Sequence, residues 1–79
     1  MEQKLRRIIS DVLIIDESEI NEDSSQNSLS EWDSVNHLNI ITSIEEEFNI
    51  VFEEEDIIEM LNFKLVVAIT EEVIARNGG

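Results

Sequence analysis

The 79-residue sequence contains no cysteine, which excludes disulfide bonds and thiolate metal sites. Its single histidine, His37, cannot form a histidine-rich metal site. Basic residues are also scarce: 5 Lys and Arg stand against 19 Asp and Glu, which gives a formal net charge of -14 at pH 7. Nucleic acid and anionic membrane surfaces would repel such a chain. We therefore expect protein partners with Lys or Arg patches, bound by an attraction that salt weakens.

Long uncharged runs are absent as well. Charged side chains interrupt the apolar pattern of the first seven residues, so neither a signal peptide nor a membrane span is expected, and we predict a cytoplasmic protein. A chain of this length forms one small domain, residues 1–79, which buries only about 60% of the surface of its unfolded chain. A deep enzymatic cleft is not expected, and no acid–base or metal constellation favours catalysis.

The first part of the chain has the periodicity of an amphipathic helix. Apolar residues recur at spacings of three and four between Leu5 and Leu13, which predicts a helix from Glu2 to Ile14 or Ile15. The following segment, 16–33, is rich in Asp, Glu, Ser and Asn, and so long a loop is uncommon in a compact domain unless it is functional or disordered. We expect it to be partly ordered, held by three large apolar side chains: Ile20, Leu29 and Trp32.

A second amphipathic helix is predicted to begin at Asp33 or Ser34, where a short polar side chain can accept unpaired backbone N–H groups. Its apolar stripe comprises Val35, Leu38, Ile41, Ile44 and Phe48, widened by Ile40. The acids 45–47 load its last turn with negative charge, which opposes the helix dipole at a cost of about 0.3–1 kcal/mol per well-placed group. That cost favours a role in binding, although a solvated acidic face is the commoner reason for such a run.

The second half of the chain predicts two further helices. The apolar connector 49–52 precedes acids at 53–56 that suit a helix N-terminus, and the group 57–61 then predicts a helix of about two turns. A final helix is predicted by four apolar residues: Val66, Ile69, Val73 and Ile74. It should end near Asn77, with Gly78–Gly79 as a frayed tail. Because no period-two run could pair with the connector as a strand, the sequence predicts an all-α four-helix bundle with a long first loop.

The start of the second helix has the most informative motif. Asp33-Ser34-Val35 resembles the Asp-Ser-Leu signature of the acyl carrier proteins, and the segment 43–50 resembles the acidic helix end and exit of that family. The short third helix and the segment 63–74 extend the match over nearly the whole chain. The sequence is therefore similar to an acyl carrier protein of the phosphopantetheine-binding carrier family, and the expected fold is the four-helix bundle of that type.

The resemblance implies that a phosphopantetheinyl transferase joins Ser34, through a phosphodiester, to the 4′-phosphopantetheine arm of coenzyme A. The thiol of that arm would hold acyl, aminoacyl or polyketide intermediates as thioesters in fatty-acid-like or specialised biosynthesis. Asp33 would cap the helix, meet basic groups on the transferase, or do both. Serine is a weak nucleophile without a base, so its activation must come from the transferase and Mg²⁺. The plainer alternative is that Ser34 is only a helix N-cap.

The resemblance also implies a binding surface for partner enzymes. Val35 and Ile40 would flank the arm as apolar contact points, although Ile40 is equally expected in the core. Glu45, Glu46 and Glu47 would face basic patches on the transferase and on acyl-activating ligases, acyltransferases or synthases. The protein itself would be a non-catalytic monomer.

The remaining apolar residues of the second helix are assigned to the interior. Leu38, together with Ile41, Ile44 and Phe48, would belong to the core or to the cleft in which such carriers can shelter a growing acyl chain. His37 is predicted to be exposed or half-buried, with a contact to a partner or to the arm as the minor alternative.

Several positions differ from fatty-acid carriers. Trp32 stands where a glycine is common, Asn39 replaces a glutamate, Thr42 replaces an apolar surface residue, and Leu65 occupies a place where Ser or Thr often caps the last helix. The Glu-Trp-Asp-Ser form is more similar to freestanding carriers of specialised pathways. A second hypothesis is an unmodified acidic module that docks on basic partners, but such a module has no need of the Asp-Ser pair.

Overall fold

Four α-helices and one short 3₁₀ turn make up the regular structure of residues 1–77, the part of the chain that the computed structural model describes. The helices are α1 (Glu2–Leu13), α2 (Ser34–Phe48), α3 (Glu54–Glu59) and α4 (Phe63–Asn77). No strand occurs among the described residues, so the predicted all-α class is confirmed. The predicted frayed tail, Gly78–Gly79, lies outside the described residues.

Helix α1 packs one face against the other helices and ends just before a residue with a left-handed backbone conformation. Leu5, Ile9 and Leu13 are buried at the predicted helical spacing. Lys4 Nζ lies 3.0 Å from Glu47 Oε2, which places the start of α1 beside the end of α2. The helix ends at Leu13, because Ile14 adopts a left-handed conformation with φ 57° and its N–H bonds to the carbonyl of Ser10.

The long loop after α1 is held by the side chains predicted to hold it. Ile20 and Trp32 are buried, and Leu29 is half-buried against the core. Near its start, Asp16 accepts a hydrogen bond from the N–H of Ser18, and this bond lowers the pKa of the Asp16 carboxyl. Further along, the carbonyl of Ser24 accepts the N–H of Phe63 at 2.8 Å, which ties the loop to α4.

Helix α2 turns most of the predicted apolar stripe inward, with His37 added to the buried face and Leu38 turned outward. Its buried residues are His37, Ile40, Ile41 and Ile44. Leu38 is 58% exposed, so its assignment to the core is wrong. The predicted exposure of His37 is also wrong, because only 8% of its surface is accessible.

Helices α3 and α4 complete the bundle. Helix α3 contains no buried residue, and Met60, just beyond its end, is the side chain that enters the core. Helix α4 begins with a cap from Asn62, whose Oδ1 accepts the N–H of Leu65 at 2.8 Å. Asn62 therefore caps α4, the role that a Ser or Thr at position 65 often has in fatty-acid carriers. Val66, Ile69 and Val73 are buried as their spacing predicts.

Helices α1, α2 and α4, the loop and the connector contribute to one buried apolar cluster, and the half-buried Ile57 of α3 packs against it. In the connector, Ile50 and Phe52 are buried, whereas Val51 between them is exposed. No helix within residues 1–77 is both long enough and apolar enough to cross a membrane. Trp32, which immediately precedes Asp33 and Ser34, is buried in this cluster and so fixes the start of α2 against the core.

Candidate functional site

The first turn of α2 presents an exposed serine on a capped helix end. Asp33 has extended backbone angles, φ -97° and ψ -176°, and its Oδ1 accepts the N–H of Asn36 at 2.8 Å. Ser34 is the first helical residue and is exposed to solvent. Because Asp33 provides the cap, the alternative that Ser34 is only an N-cap is wrong. The Ser34 hydroxyl is therefore accessible to another molecule.

Side-chain bonds fix the backbone around this serine. The Asn36 amide donates to the carbonyl of Glu31 at 2.8 Å, across the entry to the helix. The same residue accepts a hydrogen bond from the side chain of Asn39 at 3.2 Å. The N–H of His37 bonds to the carbonyl of Asp33 at 2.8 Å, which closes the first helical turn. These hydrogen bonds hold the backbone around Ser34 in one conformation. A site that presents a single group to a partner needs such a rigid support.

A buried bridge links the site to α3. The indole N–H of Trp32 donates to His37 Nδ1 at 3.0 Å, and His37 Nε2 lies 3.2 Å from the carbonyl oxygen of Ile57. An indole can only donate and a carbonyl can only accept, so these two contacts together fit the His37 tautomer with its proton on Nε2. The two rings also stack, with centroids 6.0 Å apart and planes at 24°. Sequence reasoning missed this bridge, because its partners lie 5 and 20 residues from His37.

Two groups of apolar side chains are exposed. One lies on α2 just after Ser34, and the other lies at the end of α3 and just beyond it. Val35 and Leu38, at the i, i+3 spacing of one helical face, are 69% and 58% exposed. Ile58 and Leu61 are exposed to a similar extent. Ile40 was predicted to flank this surface, but it is fully buried and packs in the core, so that prediction is wrong. Its place on the outer face belongs to Leu38, which the i+3 spacing from Val35 could have identified.

The three acids at the end of α2 have different surroundings. Glu45 is half-buried, and its Oε2 accepts the N–H of Phe52 at 2.9 Å, which holds the connector against the helix. Glu47 pairs with Lys4, as described above. Glu46 is exposed. Two of the three carboxylates therefore have stabilising partners that offset their unfavourable position on the helix dipole, and Glu46 is the most accessible of the three.

Most of the few cations are engaged inside the molecule. Arg6 donates through Nε to the carbonyl of Ile20 and lies 5.0 Å from the centre of the Phe63 ring. Arg76 lies 3.2 Å from an oxygen of Asp56 and so joins α4 to α3. Among residues 1–77, no group of three or more His, Asp or Glu side chains is arranged to hold a metal ion.

Comparisons with known proteins agree with this arrangement. A family model described as "Phosphopantetheine attachment site" matches residues 3–72, a range that contains all of α2, including Ser34. The chain is also similar to the solution NMR structure of a holo acyl carrier protein from Geobacter metallireducens, with a TM-score of 0.85 and 25% sequence identity. That similarity covers 95% of this chain and 86% of the other. No curated protein matches.

Proposed function

The chain belongs to the phosphopantetheine-attachment family of carrier domains, and from this we propose that Ser34 holds the 4′-phosphopantetheine arm and presents thioester-bound cargo to partner enzymes. The observation on which the proposal depends is the exposed hydroxyl of Ser34 on the first residue of α2, beside a cap that Asp33 supplies. We take residues 1–79 as a single carrier domain, because α1, α2 and α4 share one core and α3 packs against it.

The residues around Ser34 fit a phosphodiester. The N-terminal end of the 15-residue helix α2 has the partial positive charge that favours a phosphate group. Asp33 occupies the N–H of Asn36, and the carbonyl of Asp33 occupies the N–H of His37. The N–H groups of Ser34 and Val35 belong to the orphan donors of a helix start, which are the groups that bind phosphate at helix N-termini.

Attachment forms a bond between Ser34 Oγ and the phosphorus of coenzyme A that is nearest the pantetheine. The phosphoanhydride bond of coenzyme A breaks, adenosine 3′,5′-bisphosphate leaves, and a base takes the hydroxyl proton. Serine needs that base to react, and the neighbouring Asp33 carboxylate is already engaged as a cap. We therefore place the base and Mg²⁺ on a phosphopantetheinyl transferase, with the carrier supplying position. Once attached, the arm supplies a thiol, which this cysteine-free chain lacks.

Partner enzymes would bind the surface next to Ser34. Val35 and Leu38 offer exposed apolar contact on α2, and Glu46 offers negative charge farther along the same helix. Transferases, acyl-activating ligases, acyltransferases or synthases with basic patches would match this combination. Asn39 and Thr42, which differ from the residues common in fatty-acid carriers, and the Glu-Trp-Asp-Ser form favour a carrier of a specialised pathway over a housekeeping fatty-acid carrier. The cytoplasmic location remains a prediction from the sequence.

Intact-mass measurement of three variants tests the proposal. Wild type, Ser34→Ala and Ser30→Ala are incubated with coenzyme A, Mg²⁺ and a broad-specificity phosphopantetheinyl transferase. Ser30 is a matched control, since it is an exposed serine in the loop just before the site. We expect one phosphopantetheine adduct on wild type and on Ser30→Ala, and none on Ser34→Ala with its circular dichroism unchanged. An unmodified but folded wild type would instead favour the acidic docking module.

A further inference from the structure

The bridge of Trp32, His37 and Ile57 closes the side of the bundle where α2 meets α3. Trp32 and His37 are 1% and 8% exposed, so the bridge belongs to the interior. Both nitrogens of His37 are used, one by the indole N–H and one by the α3 carbonyl. Behind the bridge, Ile40 and Phe63 are fully buried in the core. The space between the facing sides of α2 and α3, which we call the seam, is therefore filled by the hydrogen-bonded ring of His37.

A groove of about 280 Å³ lies outside this bridge. The residues that line it are Gln26, Asn27, His37, Ile57, Ile58, Met60 and Leu61. His37 lies three residues, or about one helical turn, after Ser34. Both nitrogens of His37 are used in the bridge, so the polar groups that the groove offers are the amides of Gln26 and Asn27, beside four apolar side chains. The groove therefore suits a short acyl group with polar substituents, which can use both the amides and the apolar wall.

We propose that the bridge bars the seam between α2 and α3 to alkyl chains, so that the cargo on Ser34 is a short acyl group that stays in the outer groove. This inference rests on the proposed function of Ser34. A chain that entered the seam would displace the His37 ring and leave a buried indole N–H and a buried carbonyl without partners. The displaced ring would also lose its stacking on Trp32, so entry of a chain would cost two buried hydrogen bonds and a ring contact.

The test compares chains of different length on the same arm. A transferase loads the wild-type protein from coenzyme A analogues that bear amide-linked acetyl, butanoyl or octanoyl groups, and intact mass confirms loading before the melting temperature is measured. The wild-type melting temperature should vary by less than about 2 °C across the series. In His37→Ala, which opens the seam, it should rise by about 5 °C or more from acetyl to octanoyl, because the chain then binds the folded state.

Two further variants separate the barrier from a general loss of stability. In His37→Gln the amide can accept from Trp32 and donate to Ile57, so the melting temperature should again be independent of chain length. Trp32→Phe keeps an aromatic ring but loses the N–H donor. Its melting temperature should therefore depend on chain length, as in His37→Ala. Trp32→Phe takes the place of His37→Ala if that variant does not fold. A variant that is only destabilised should instead show a lower melting temperature by the same amount for every acyl group.

Three results would overturn the inference, and the third would overturn the proposed function as well. A loaded wild type whose melting temperature rises steadily with chain length refutes the barrier while leaving attachment to Ser34 intact. Opened variants that fold and load but show no dependence on chain length refute it as well. A wild type that accepts no arm at all refutes the proposed function, and the barrier with it, and intact mass identifies that case before any melting experiment.

Discussion

Ile14 is a β-branched residue at a positive φ of 57°, with 88% of its surface exposed. A left-handed backbone costs such a residue roughly 1–2 kcal/mol, and its exposed side chain gains little packing in return. We predict that Ile14→Gly raises the free energy of unfolding by about 1 kcal/mol, measured by urea denaturation. Asn49→Gly is the matched control, because Asn49 caps α2 at φ 55° but tolerates that conformation better. A destabilised Ile14→Gly, or an equal gain at both sites, would contradict this explanation.

Thr70 is the second residue whose side chain conflicts with its surroundings. It is fully buried in α4, and its hydroxyl has no hydrogen-bond partner within the described residues. Since an unpaired buried hydroxyl costs about 1–3 kcal/mol, Thr70→Val should stabilise the protein by about 1 kcal/mol. Thr42→Val is the control, because the Thr42 hydroxyl is exposed and bonds to the carbonyl of Leu38. Chemical denaturation compares the two, and a loss of stability in Thr70→Val would show that the hydroxyl has a role.

At the scale of the helix, α2 shows what the hydropathy pattern can predict and what it cannot. The spacing of its apolar residues predicted the helix and its start, and the structure confirms both. The same spacing allowed two inward faces, one with Leu38 and one with Ile40. The choice depends on His37, which is buried because Trp32 and α3 satisfy both ring nitrogens. A pattern that counts only apolar residues cannot find a face that a histidine completes.

The cap of α2 allows charge and hydrogen bonding to be separated. Asp33→Ala should lower the free energy of unfolding by about 1 kcal/mol, whereas Asp33→Asn keeps an accepting oxygen and should change it by less than about 0.5 kcal/mol. If basic groups of the transferase meet Asp33, then Asp33→Asn should still lower kcat/KM of modification, by about 3- to 10-fold.

Two measurements check this separation. Urea denaturation gives the stability terms, and a time course of intact mass gives the modification rate. Asp11→Asn controls for the loss of one negative charge on an exposed helix away from the site. A modification rate in Asp33→Asn equal to that of Asp11→Asn would restrict Asp33 to capping.

On the scale of the whole molecule, the dominant feature is its negative charge. The formal net charge is -14, and the described residues form three side-chain ion pairs, of which one spans 4.0 Å. Repulsion among the carboxylates opposes the compact state, and salt screens it. We predict that about 0.2 M NaCl raises the melting temperature by roughly 4 °C. MgCl₂ at equal ionic strength should act similarly, and a flat or falling thermal response would contradict this account.

The long loop illustrates the limit of prediction at this scale. Composition indicated that Ile20, Leu29 and Trp32 hold it, because large apolar side chains in a polar segment gain most from burial. The backbone bonds that tie it to α4, from Phe63 to Ser24 and from Lys64 to Glu22, had no signal in the sequence. Such bonds use groups that every residue possesses, so side-chain patterns do not reveal them.

The most direct test of the central claim is to locate the arm by fragmentation mass spectrometry of the modified wild-type protein. Backbone fragments on both sides of Ser34 would bracket the added mass to one residue. The account predicts that the phosphopantetheine mass appears only in fragments that contain Ser34, with the loop serines before it unmodified. An adduct on any other residue, or a folded protein that carries none, would contradict it.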